Sequence, residues 1–171
     1  LDMRHRLAVS IRRTDEMVNA SDLAWSPDGR YLLYSSLGDL YTVDITTLRT
    51  RQQTDLGHRT HSAAWSPDGT RLAFATNVDL VTDLRVGDFD GETLAEPRLI
   101  TEFSAVNGVG GVDWSPDGQF IVFSLTGAPM IGRMEVNSLH FNRVSMDRAL
   151  LSISQIDHTR NSDHIAFSGT M

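Results

Sequence analysis

The chain of 171 residues contains no cysteine and no lysine. The first absence excludes disulfides, thiolate metal sites and cysteine nucleophiles together. The second excludes Schiff-base catalysis and the phosphate-loop lysine. All 15 cationic residues are arginine, and 22 Asp and Glu outnumber them, for a formal charge of −7 and a pI near 5.2. A surface so short of positive charge argues against a sequence-independent grip on nucleic acid or on an anionic membrane. No apolar run approaches the roughly 20 residues of a membrane-spanning helix. Catalytic signatures are missing too. There is no Gly-x-Ser-x-Gly elbow, the late Ser168-Gly169 pair stands without partners, and no His-Glu-x-x-His pattern occurs. The expectation is therefore a non-enzyme, with no catalytic residue, no cofactor and no metal. What is present is 40% hydrophobic and 22% charged residues, the balance of an ordinary folded chain rather than a disordered one.

Three segments repeat. Each is a Trp-Ser-Pro-Asp-Gly turn: Trp25, Pro27, Asp28 and Gly29; Trp65, Pro67, Asp68 and Gly69; Trp114, Pro116, Asp117 and Gly118. An apolar alternation follows each one, such as Tyr31-Leu32-Leu33-Tyr34 or Phe120-Ile121-Val122-Phe123. The tryptophans are 40 and 49 residues apart, and a decayed copy places His158 at the tryptophan position 44 residues further on. Short strands at that period indicate propeller blades rather than helical solenoid units. Pro fixes φ at the second turn position, Asp suits the third, and Gly relieves crowding at the fourth. Two further strands complete each unit: 39–44 and 49–54, then 84–89 and 98–101, then 131–136 and 141–146. The fold class is all-β: four-stranded antiparallel blades at about 19–55, 60–102 and 109–147, a partial blade at 152–171, and an N-terminal strand at 6–13, within one domain of 1–171. The indole is large enough to fill the wedge between blades.

The repeated Trp-Ser-Pro-Asp-Gly followed by apolar alternation resembles the TolB-like, WD-repeat-like β-propeller repeat. The same repeat is found in the propellers of prolyl-oligopeptidase-like and tricorn-like peptidases. The resemblance implies a non-catalytic protein-interaction or scaffold module, a subunit of a hetero-oligomeric cell-envelope assembly, in the periplasm or otherwise outside the cytoplasm. The alternative is the gating propeller of a peptidase whose catalytic domain is not in these residues. The chain opens on Leu1 with no signal peptide visible, which leads us to expect processing or trimming. The partial blade is to be completed either by the N-terminal strands, closing a four-blade ring, or by another chain in a larger ring.

Candidate contact residues fall in three places. His58, Arg59 and His61, expected just before the innermost strand of the second blade, offer two imidazoles and a guanidinium to an anionic ligand or a peptide carboxylate. The alternative is that the histidines satisfy main-chain groups of their loop. Asp79 and Asp83, expected on a long loop over 77–83, suit an arginine of a partner, or are simply solvated. Arg12 and Arg13, with Arg4 and Arg6, form a basic arm for an acidic partner surface, or an edge strand whose charges discourage aggregation. Asp90-Gly91 suits a hairpin better than a fragment of a calcium loop.

Overall fold

In the computed structural model the described residues are 20–78, 81–101, 108–125, 130–145, 152–158 and 165–170. They form three four-stranded antiparallel sheets and one two-stranded sheet, each a simple meander. The first is β1 (Ser21–Trp25), β2 (Tyr31–Ser36), β3 (Asp39–Asp44) and β4 (Arg49–Gln52). The second is β5 (Arg59–Trp65), β6 (Arg71–Val78), β7 (Val81–Asp88) and β8 (Arg98–Leu99). The third is β9 (Val109–Trp114), β10 (Phe120–Leu125), β11 (Met130–Glu135) and β12 (Phe141–Ser145). The last pairs β13 (Ser152–His158) with β14 (Ile165–Thr170).

The sequence repeat and the register agree. Trp25 pairs with Leu32, Trp65 with Leu72, Trp114 with Ile121 and His158 with Ile165, so His158 does occupy the tryptophan position. The sheets stack in order, with β5 against β1, β9 against β5, and β13 against β9. Side chains alternate between the two faces of a strand, and here both faces bury. Leu72 and Phe74 join Leu33, Leu40 and Trp65 between the first two blades. Ala73 and Ala75 turn the other way, toward Trp114 and Phe123 of the third blade. Small residues on one face leave room for the large ones opposite.

Each turn is held by the same four hydrogen bonds. In the second blade Gly69 N donates to Ser66 O (2.9 Å), closing the turn. The Ser66 hydroxyl donates to Asp68 Oδ1 (2.6 Å) and accepts from Arg71 N (2.9 Å), while Thr70 N donates to the same carboxylate oxygen (3.0 Å). Ser26 with Asp28 and Ser115 with Asp117 repeat the arrangement. The serines are buried, so the aspartate satisfies a hydroxyl that water does not reach. The glycines sit at φ of +72°, +72° and +68°, where any Cβ is strained.

The serine hydroxyl foremost, with the main-chain N–H two residues on, holds the Asp28, Asp68 and Asp117 carboxyls below the usual carboxylate range. A carboxyl with a depressed folded pKa stabilises the fold above its unfolded value, near 4, and loses that contribution as pH falls through the folded value. The Asp28→Asn, Asp68→Asn, Asp117→Asn triple variant should therefore melt at a lower temperature than the parent at pH 7. Its melting temperature should also fall less between about pH 5 and pH 2. Thermal melts by circular dichroism check this, and parallel acid limbs would refute it.

Three expectations are corrected. Trp65 and Trp114 are buried between blades, but Trp25 is 54% exposed. Ala24 packs into the cluster shared with the second blade, so Trp25, next along β1, turns to the other side. The loop expected over 77–83 is mostly strand: β6 and β7 pair as far as Val78 with Val81, and Asp83 pairs with Thr76. The β-branched Val78, Val81 and Thr82 extend the hairpin past the point where the asparagine and aspartates suggest a loop. Likewise Arg59 and His61 lie within β5 rather than before it. Arg12, Arg13, the strand expected at 6–13 and Asp79 fall outside the described residues.

Candidate functional site

Every innermost strand carries one extra residue opposite its partner. The register of β1 slips between Ser21 and Ala24, that of β5 between His61 and Ala64, and β9 and β13 slip in turn opposite β10 and β14. Such bulges re-aim side chains. In the first two blades the bulge holds Asp22 and Ser62 at φ of +53° and +51°, a conformation aspartate tolerates better than most residues. The bulged ends lie opposite the Ser-Pro-Asp-Gly turns, at the other rim of the blades.

An open cleft of about 700 Å³ lies at that rim, between the first and second blades. It brings together His58, Arg59 and His61, the densest polar cluster of the sequence, and adds Asp22, Asp39 and Asp55. Asp22 Oδ2 accepts from the hydroxyls of Ser35 (2.8 Å) and Ser21 (3.3 Å). Asp39 accepts from Thr54 Oγ1 (2.9 Å) and Gln52 Nε2 (3.1 Å). Thr60 clamps the two blades, its N–H and hydroxyl both donating to Gly38 O at 2.8 Å. Asp83, on β7, does not line this cleft.

The His61 ring lies near the main chain of Val109 in the third blade. Burial pushes its pKa down, against a smaller upward pull from Val109. Its Nδ1 is buried with no hydrogen-bond partner. Ser36, 4% exposed, lines the same cleft with its Oγ likewise unpartnered. Buried polar atoms without partners are uncommon enough in folded proteins to need a reason.

Leu37 and Gly38 join β2 to β3 as a two-residue hairpin on the cleft's lip, both at positive φ, +53° and +93°. Asn-Gly is the pair this turn prefers. Leucine there is strained, and it is also 75% exposed. Asp22, Ser36, Leu37 and Asp39 carry no signature in the sequence, since the bulge and the tight turn that place them arise only on pairing. Among the described residues no group of three or more His, Asp or Glu is placed to hold a metal ion. No helix among them is long and apolar enough to cross a membrane.

No protein-family model matches the chain, and no curated protein matches it in sequence. Solved structures do. TolB from Acinetobacter baumannii superimposes with a TM-score of 0.71 at 19% identity, over 88% of this chain and 37% of that one. The β-propeller domain of Cps50 (Swd1) from Myceliophteria thermophila gives 0.66 at 13% identity, over 92% and 54%. Kuenenia stuttgartiensis hydrazine synthase gives 0.59 at 16%, over 86% and 42%. The chain thus spans less than two thirds of each of these structures, and at such identities the likeness is one of fold: a TolB-like, WD-like β-propeller.

Proposed function

We propose that this TolB-like, WD-like propeller segment is a non-catalytic protein-interaction module that presents its bulged rim to a partner, as a subunit of a hetero-oligomeric cell-envelope assembly. The observation that carries the reading is Leu37. A leucine held left-handed in a turn that favours asparagine costs stability, and its exposure to water adds nothing to solubility. Both are accounted for by a partner that covers it beside the cleft. Likeness to TolB supports a periplasmic or other extracytoplasmic location, and the family resemblance of the repeat supports the assembly.

Leu37→Asn separates fold from function. It should raise the melting temperature, by an amount corresponding to roughly 0.5–1 kcal/mol, while weakening partner capture at least tenfold. Arg59→Glu, on the exposed end of β5, should also weaken capture and leave the melt unchanged. The measurement is quantitative affinity enrichment from an envelope extract of the source cells, compared across the native chain, both variants and an Arg143→Glu control on β12. A partner set held equally by all four, or none held above background, would end this reading.

A further inference from the structure

Two of the three tryptophan-bearing faces are covered by the blade before them, in the same way. Trp65 and Trp114 each donate the indole N–H to a main-chain carbonyl of that blade, Ala24 O at 3.4 Å and Ala64 O at 3.2 Å. Pro27 and Pro67 of the preceding turns lie 3.5 Å and 3.4 Å from where a Cβ at Gly69 and Gly118 would sit. A third residue completes each seam. Phe89 N donates to Thr70 O (2.7 Å) and Val136 N to Gln119 O (3.0 Å), in each case the residue after the turn glycine. Both side chains are buried in the cluster that holds their tryptophan, and the Phe89 ring lies edge-on to Tyr31 of the preceding blade, 5.3 Å away.

The first blade carries the same equipment uncovered. Ile45 N donates to Arg30 O at 3.0 Å, so Ile45 holds the position of Phe89 and Val136, yet it is exposed. Trp25 is half in water, and Leu23 is exposed where Ala63 is buried. Among the described residues no atom comes within 4 Å of a Cβ placed at Gly29. Apolar side chains grouped on one open face mark an interaction surface, and the two covered faces say what closes it: a strand carbonyl just before a tryptophan position, and a turn proline. The 171 residues have no spare turn of this kind. Pro27 and Pro67 meet Gly69 and Gly118, β13 packs on the third blade, which carries Pro116, and no proline lies between β13 and β14. A second copy lacks the spare turn equally. Resting on the partner-module reading above, we propose that this face of the first blade docks a Trp-Ser-Pro-Asp-Gly-type blade of a different protein. Trp25 Nε1–H donates to that blade's strand carbonyl, its turn proline covers Gly29, and Ile45 packs on the residues just after its turn. The contact lies on the sheet face of the first blade rather than in the cleft at the bulged rim.

The test is photo-crosslinking in the source cells, with p-benzoylphenylalanine in place of Ile45 in the full chain and the crosslinked peptide sequenced by mass spectrometry. The expected peptide belongs to another protein and spans a Ser-Pro-Asp-Gly turn or the residues just after it. Trp25→Glu in the same background should cut its yield at least tenfold, because the carboxylate would be desolvated against an apolar face. The same variant should leave the melt nearly unchanged, since position 25 is open to water in the free chain. The crosslinker placed instead at Leu139, exposed on the third blade, should not yield that peptide. A peptide from the chain's own polypeptide, in cis or from a second copy, overturns the proposal. So does a peptide without such a turn, or no crosslink at all. The outcomes remain separable: capture that depends on Leu37 with position 45 silent defeats this seat alone. A crosslink at position 45 on a chain whose capture ignores Leu37 and Arg59 defeats the rim reading.

Discussion

Trp65→Ala is expected to cost about 3–5 kcal/mol, the range for removing a large buried aromatic. The indole is 7% exposed, lies edge-on to Phe89 with centroids 5.0 Å apart, and sits 6.4 Å from Tyr31 of the preceding blade. Its Nε1–H donates to Ala24 O at 3.4 Å. Truncation would open a cavity between two rigid sheets that cannot collapse into it, and would remove a bond that crosses the junction. Trp25→Ala serves as the internal control. With that indole half in water, the same change should cost less than about 1 kcal/mol. Urea unfolding with a common slope reads both values, and equal losses at the two positions would show that the tryptophan is not a wedge.

Gly132→Ala should be the most damaging single methyl. Gly132 on β11 pairs directly with Phe123 on β10, and a Cβ built there lands on the Phe123 ring. The ring has nowhere to retreat: it is fully buried and stacked on Phe141, 5.9 Å away with planes 17° apart. Overpacking of this kind costs about 1–3 kcal/mol, occasionally more, and the upper end is expected because the obstacle is a rigid aromatic. Phe123→Leu in the Gly132→Ala background should recover part of the loss, although Phe123→Leu alone destabilises. Such non-additivity is the signature of two residues sharing one space. A double variant equal to the sum of the singles would refute the account.

The blades were legible because their information is local. Ser-Pro-Asp-Gly states its own turn, and the alternation after it states a strand. Even the decayed copy could be aligned, and His158 stands opposite Ile165 as Trp114 stands opposite Ile121. Facts that depend on a neighbour were less legible. Three identical motifs gave no hint that Trp25 is exposed, because burial of the tryptophan is decided by what lies across the junction. Asp83 read as loop because its own residue type disfavours strands, whereas eight consecutive β6–β7 pairs override it. His58, Arg59 and His61 drew notice as a cluster, yet the cleft's character is set by Asp22, Asp39, Asp55 and Ser36. These come from four other segments, and bulges and turns gather them only after the sheets have formed.

The two junctions on either side of the second blade make the same contacts in the same direction. Trp114 Nε1 donates back to Ala64 O (3.2 Å) as Trp65 does to Ala24. Gly118 lies under Pro67, and Gly69 under Pro27. The second blade thus has a head that donates its indole N–H and receives a proline ring, and a tail that offers the carbonyl and the ring. Units of that kind join like monomers of a polar polymer, each end already complementary to the next copy. Duplicating the gene segment for one blade would create its binding surface at the same stroke, so a lineage could lengthen or shorten the array without inventing a new contact. The turn that makes a hairpin is also the connector that makes the array.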